Sequence, residues 1–205
     1  MRQRGSAADE LMRIGFDVGG TKTDAVVVTA SGAGEIVARV RRPTGWGPDA
    51  VVTTILSLVE ELATTVGVPA SVFTSLGVGM PGQVAPDSSV VTHAVNLGIA
   101  ELDLGRALET RLGMPVRTEN DVKAAAIGAY ALRYGPGPGT GPGPGPGPGP
   151  GVGRTLAYLN LGTGIAAGFV SGGRLWRGAH GAAGEVGHIS VDPDGPECRC
   201  GQRGC

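Results

Sequence analysis

Ile14-Gly15-Phe16-Asp17-Val18-Gly19-Gly20-Thr21-Lys22-Thr23-Asp24-Ala25-Val26-Val27-Val28 is an apolar run, a glycine-threonine turn and a second apolar run. β-Branched and aromatic residues on both sides of a glycine-rich turn predict a β-hairpin. Gly19 and Gly20 leave the loop backbone bare enough to approach a ligand closely. The N–H groups of such a turn cradle phosphate oxygens, and Thr21 and Lys22 add donors. Asp17 repels phosphate, but its carboxylate suits Mg²⁺, directly or through water. Taken alone, the stretch reads equally well as a tight hairpin that uses glycine for positive φ.

The same grammar returns at Thr155-Leu156-Ala157-Tyr158-Leu159-Asn160-Leu161-Gly162-Thr163-Gly164-Ile165-Ala166-Ala167-Gly168-Phe169-Val170, which points to two lobes of related design. Between the hairpins the pattern predicts a strand at 35–40, a turn-rich connection at 43–48, and a helix at 50–66 with Asp49 as its N-cap. Val52, Ile55, Leu56, Val59, Leu62, Ala63 and Val66 share one face of that helix and Gly67 stops it. A buried strand at 73–78 leads into the Gly79-Met80-Pro81-Gly82 loop. A helix at 102–112, a strand at 116–118 and an alanine-rich helix at 121–133 follow, with a last short strand at 174–177.

Residues 135–151 are glycine and proline interrupted only by Thr140. Such a run forms no core element, and its period of two excludes the collagen repeat. It reads as an expanded loop or linker. The expected organisation is an N-terminal extension at 1–12, an α/β lobe at 13–134, the linker at 135–153, and a partial second lobe with a metal-binding loop at 154–205.

Net charge is −1 and no basic cluster is long enough to follow a phosphate backbone, so composition gives nucleic-acid binding no support. Arg39, Arg41 and Arg42 read as a solvated strand edge. No apolar stretch has the length of a membrane span or a signal-peptide core, and a cytoplasmic location is expected. The three cysteines lie within the last eight residues. Their odd number suits a metal better than a disulfide framework. His188, Cys198, Cys200 and Cys205 supply the four soft and imidazole donors of a closed tetrahedral Zn²⁺ site. The competing reading is three thiols and a core histidine.

In order along the chain, Asp17-Val18-Gly19-Gly20-Thr21-Lys22, Pro81-Gly82, Asn96-Leu97, Glu119-Asn120-Asp121, Gly162-Thr163-Gly164, Gly184-Glu185-Val186-Gly187-His188 and the Cys198, Cys200, Cys205 tail resemble the successive signatures of ROK family sugar kinases. The resemblance implies an actin/hexokinase-like (ribonuclease H-like) two-lobe α/β ATPase fold and ATP-dependent phosphorylation of a hexose in a glucokinase-like reaction. By match, Asp121 is the catalytic base. Asp17, Gly19, Gly20, Thr21, Lys22, Gly162, Thr163 and Gly164 serve the nucleotide phosphates and Mg²⁺. Pro81, Gly82, Asn96, Asn120, Asp121, Glu185 and His188 face the sugar. On spacing alone, Asn120-Asp121 ahead of an alanine run is a helix cap. The resemblance also implies that His188 gives one ring nitrogen to zinc and the other to the sugar, and that the full-length form is a homodimer.

Members of the family are expected to continue for about a hundred residues more, close to an ordinary domain. Those residues would supply the adenosine pocket, further helices and another sugar-binding glutamate. The second lobe is therefore expected to be incomplete, with exposed apolar faces and poor solubility or dependence on a partner. Glucose is the favoured substrate, although fructose, mannose and N-acetylated sugars share the hydroxyls these residues address. Two alternatives accompany the kinase. One is a sugar-responsive transcriptional regulator, which would carry an N-terminal helix-turn-helix where only residues 1–12 precede the first strand region. The other is a catalytically dead sugar- or zinc-binding remnant.

Overall fold

The opening stretch folds as expected, with β1 (Met12–Val18) pairing antiparallel to β2 (Lys22–Thr29). β1 buries Met12, Ile14, Phe16 and Val18, the residues of one face of a strand of period two. The structure is a computed structural model that describes residues 11–29, 35–85, 87–135, 153–162, 164–179, 181–198 and 200–205. It divides into two compact units, Met1–Asp121 and Val122–Cys205.

In the first unit β3 (Ile36–Pro43) extends the meander, and β4 (Phe73–Met80) and β8 (Val116–Asn120) add parallel strands on the other side of β1. The order β3-β2-β1-β4-β8 is that of the expected ribonuclease H-like sheet. On the outer meander, Arg39 and Arg41 both bond the Asp24 carboxylate, and Arg42 pairs with Glu61. The expected solvated edge is thus a paired one. The Asp24 pKa is lowered, first by the Arg41 hydrogen bond.

Helix α1 (Pro48–Val66) buries Val51, Val52, Ile55, Leu58, Val59, Leu62 and Ala63. Leu56 and Val66 pack against the core while partly buried. The helix begins earlier than expected: Pro48 occupies the first turn, Gly47 is the N-cap, and Asp49 lies inside the helix. Proline is well placed there because its missing N–H has no helical partner to lose. Gly67, left-handed at φ 76°, closes the helix by donating to Ala63 and Thr64.

The expected helix at 102–112 begins only at Leu104. Ahead of it lies the small meander β5 (Gln83–Val84), β6 (Val90–Ala94) and β7 (Ile99–Asp103). Asp103 ends that meander and caps α2 (Leu104–Leu112) by accepting from the Arg106 N–H at 3.1 Å. His93 adopts φ 56° within β6, where the pairing with β7 skips a residue. That left-handed residue interrupts the alternation of buried and exposed side chains that marks a strand.

The second unit holds α3 (Asp121–Tyr134) from Val122 onward, with β9 (Thr155–Leu161), β10 (Ile165–Ser171) and β11 (Arg174–Leu175) in the order β11-β10-β9. The sequence reading keeps this helix with the first lobe. The structure groups it with the second, because Ala126 and Tyr130 pack on Val170. A Cβ on Gly168 would sit 2.5 Å from that of Ala126, so glycine on β10 sets how closely the helix approaches. The Gly-Pro run from 136 onward, Thr163 and residues 1–10 lie outside the described residues.

Candidate functional site

β1, β4 and β8 end side by side. Asp17 pairs with Gly79 across β1 and β4, and Met80 pairs with Asn120 across β4 and β8. The carboxyl ends of parallel strands are where open α/β sheets bind ligands. The loop after β4 bends sharply here, with Gly82 at φ 107°, and the Asn120 side-chain amide donates to the Gly82 carbonyl at 3.1 Å. A Cβ on Gly82 would meet the Thr92 carbonyl oxygen at 2.6 Å, so only glycine fits. Asp121 follows Asn120 directly, at the first position of α3.

The turn at 19–22 closes through a bond from the Gly19 N–H to the Lys22 carbonyl at 2.9 Å. Gly20, Thr21 and Lys22 are exposed. A Cβ on Gly20 would lie 3.2 Å from the Asn96 carbonyl oxygen, so the turn and the Asn96 loop are neighbours. Asp17 is solvent-exposed, yet the walls around it desolvate it enough to raise its pKa. Desolvation is the largest cause, followed by the charges of Asp121 and Asp24, against Lys22 and Arg39. A like charge acting on Asp17 favours a proton or a cation there. In the first unit, then, Asp17, Gly19, Gly20, Gly82, Asn96, Asn120 and Asp121 are gathered at one edge of the sheet.

Thr44 belongs to no motif in the sequence, yet it braces this turn. Its buried hydroxyl donates to the Gly19 carbonyl at 2.7 Å and lies 2.9 Å from the Thr23 hydroxyl, while its N–H donates to Thr21. One residue from the β3–α1 connection therefore braces the turn at three points. Nothing in a lone threonine after a proline signals this, since its partners lie 21 to 25 residues away.

In the second unit the Gly162 N–H donates to the Gly164 carbonyl at 2.9 Å, closing the second turn. The Gly184-Glu185-Val186-Gly187-His188 segment lies against β10, and the Ala167 N–H donates to the Gly184 carbonyl at 2.7 Å. A Cβ on Gly184 or Gly187 would collide with the carbonyls of Ala167 or Ile165. The two glycines thus allow a close approach that carries Glu185 and His188 beside the second hairpin. Lys123, also missed, is buried, and its ammonium donates to the Gly181 carbonyl, tying α3 to the connection ahead of this segment. In an alanine-rich helix a lysine reads as solvated, so the sequence carried no signal.

His188 and the three cysteines come together in the second unit. Donor atoms of His188, Cys198, Cys200 and Cys205 all lie within 4.8 Å of one another. Cys198 Sγ is 3.7 Å from His188 Nδ1, and the Sγ atoms of Cys200 and Cys205 are 3.6 Å apart. A tetrahedral ion with metal–sulfur bonds of about 2.3 Å sets sulfurs about 3.8 Å apart, so the donor set fits. A bridge between Glu197 and Arg203 and a bond from the Cys198 N–H to the Gln202 carbonyl form the knuckle that aims the sulfurs. Hydrogen bonds, first from the Cys200 backbone, draw the Cys198 thiol down to about 7. Desolvation and then the neighbouring thiols push Cys205 up to about 11. Clustered thiols resist a second negative charge unless a cation joins them.

These elements match known proteins over both units. The sequence profile of the ROK family matches residues 13–135 and 152–205. The chain belongs to the ROK family. This ROK chain is 37% identical over 194 residues to a glucokinase of Streptomyces coelicolor, covering 95% of this chain and 54% of that protein. It resembles the structure of a ROK family glucokinase from Streptomyces griseus in complex with glucose and AMPPNP at 33% identity and a TM-score of 0.75, covering 95% of this chain and 55% of that one. A ROK family transcriptional regulator, homologue of the E. coli MLC protein, is similar at 26% identity and a TM-score of 0.73, over 95% of this chain and 45% of that one. The ROK chain spans about half the length of the curated relatives it matches. No helix among its described residues is long and apolar enough to cross a membrane.

Proposed function

We propose that this chain belongs to an ATP-dependent hexose kinase, with glucose as the favoured substrate and Asp121 as the general base. The observation that carries the reading is the gathering of Asp17, the turn at 19–22, Asn120 and Asp121 at one sheet edge, with the charge of Asp121 helping to raise the Asp17 pKa. Asp121 would accept the proton of a sugar hydroxyl as that oxygen attacks the γ-phosphoryl group. Asn96, Asn120 and the Pro81-Gly82 loop would hold the other hydroxyls, since amides and backbone groups engage vicinal pairs. Glu185 and His188 are assigned to the sugar by the family resemblance.

In the turn at 19–22 the Gly19 N–H is taken up by the Lys22 carbonyl, so Gly20, Thr21 and Lys22 supply the donors for phosphate oxygens while Gly19 shapes the loop, and Asp17 offers the carboxylate for Mg²⁺, which would neutralise phosphate charge. Gly162, Thr163 and Gly164 take the corresponding phosphate role in the second unit. The four donors of the cysteine cluster are assigned to a structural Zn²⁺, with His188 bound through Nδ1 and its Nε2 left for a hydroxyl. Work in the cytoplasm and assembly as a homodimer in the full-length form complete the reading.

Phosphoryl transfer from ATP across a hexose panel, with Asp121→Asn alongside, tests the proposal. Transfer to glucose that the variant loses while still binding the sugar supports it, and transfer that survives the substitution removes Asp121 from the role. The regulator in the comparison favours a second reading, a sugar-responsive switch. Hexose binding with no transfer in the parent chain or in one of its relatives' length would favour that reading. Metal analysis of the purified chain tests the cluster, where one zinc per chain is expected.

A further inference from the structure

Trp46 is 70% exposed, beside the first-unit site and unused by the reading above. A single exposed apolar residue is ordinary. This one, however, is held in place by its backbone. It stands between Gly45 at φ 83° and Gly47 at φ 90°, both left-handed. The Gly47 N–H donates to the Leu97 carbonyl at 2.8 Å, which fastens the Trp46 loop to the one carrying Asn96. Gly98, at φ 68°, leaves room for the indole: a Cβ there would fall 2.5 Å from Cε2 and 2.6 Å from Nε1. One indole edge therefore rests on the backbone two residues from Asn96, and the rest of the ring system meets solvent.

Three left-handed glycines and a hydrogen bond thus present a large, rigid apolar surface next to an exposed amide. A pyranose has the complementary chemistry, a rim of hydroxyls for hydrogen bonds and a C–H face for an aromatic ring. Resting on the hexose reading, we propose that Trp46 is a substrate-binding platform that packs against the apolar face of the sugar while Asn96 addresses its hydroxyls. A nucleotide base would also stack on indole, but the neighbouring amide and the fastening to the Asn96 loop favour the sugar. Trp46 then contributes affinity and a preference for sugars with an unobstructed C–H face, and no proton transfer.

The chain has two tryptophans, so Trp176→Phe leaves Trp46 as the sole indole reporter. Titrating that variant with glucose should change the emission of Trp46, whereas ATP alone should not. Calorimetry with glucose should show a dissociation constant raised about five- to tenfold in Trp46→Ala and little changed in Trp46→Phe, the range expected for losing one aromatic contact. Far-UV circular dichroism establishes that the variants are folded. An unchanged dissociation constant in Trp46→Ala, or an emission response to ATP and not to glucose, overturns the platform and leaves the kinase reading standing. A parent chain that binds no hexose overturns both.

Discussion

The two hairpins share one sequence grammar and differ in their support. β1 is paired on both sides, its inward residues join a core that runs through α1, α2, β4 and β8, and Thr44 bolts its turn. β9 is paired with β10 alone among the described residues, and the buried cluster beneath is Ala126, Tyr130 and Val170. Leu159, Leu161 and Ile165 on the opposite face are exposed. A strand-turn-strand pattern encodes the turn, which is local. What braces the turn comes from distant sequence.

The largest test of that contrast is a core truncation in the first unit. Leu62 is fully buried on α1, and Leu62→Ala should lower stability by about 3 kcal/mol through lost burial and an incompletely collapsed cavity. Urea unfolding read through Trp46 in a Trp176→Phe background reports on this unit. A loss under about 1 kcal/mol would show that the first core is no tighter than the second.

Thr44→Val keeps the volume and deletes the hydroxyl that joins Gly19 and Thr23. The expected loss is about 1 to 2 kcal/mol, the cost of leaving buried partners unmatched. Hydrogen exchange at residues 19–23 should accelerate more than elsewhere in the sheet. Uniform acceleration would mean that the turn holds itself, and would erase one of the differences between the hairpins.

Most of this support was invisible in one dimension. Both hairpins, α1, β4, β8, α3 and the cysteine tail were legible because each rests on local periodicity or on donors close in sequence. The cap of α1 was misread because Asp49 is a good capping residue, but Gly47 and Pro48 set the chain's entry angle first. The β5-β6-β7 meander was missed because short strands and the left-handed His93 break the alternation. At the site, the motif residues were legible by resemblance. Their braces, Thr44 and Lys123, were not, since a threonine and a lysine gain meaning only from carbonyls far along the chain.

Asp17→Asn should act with the opposite sign to the first two substitutions. A folded-state pKa raised above the unfolded value means that the native state prefers the protonated acid. The stability tied to that proton is complete below the unfolded pKa and is lost as pH rises through the folded one. At neutral pH the ionised Asp17 therefore strains the first unit, and the amide should stabilise it slightly while reducing nucleotide binding. Denaturation midpoints of parent and variant should converge as pH falls. A variant less stable than the parent at neutral pH would show that Asp17 supports the turn instead of being held against desolvation and neighbouring charge.

The smallest effect is expected in the second unit. Leu159 is 58% exposed on the open face of β9, so Leu159→Ser removes little buried surface and should change stability by no more than about 0.5 kcal/mol. Emission from Trp176 in a Trp46→Phe background reads this unit, because Trp176 packs on Phe169 of β10. A loss above about 1 kcal/mol would mean that the face is covered in solution and that Leu159 belongs to a packed surface after all. The second hairpin would then be as firmly braced as the first, by residues other than its own sheet and α3.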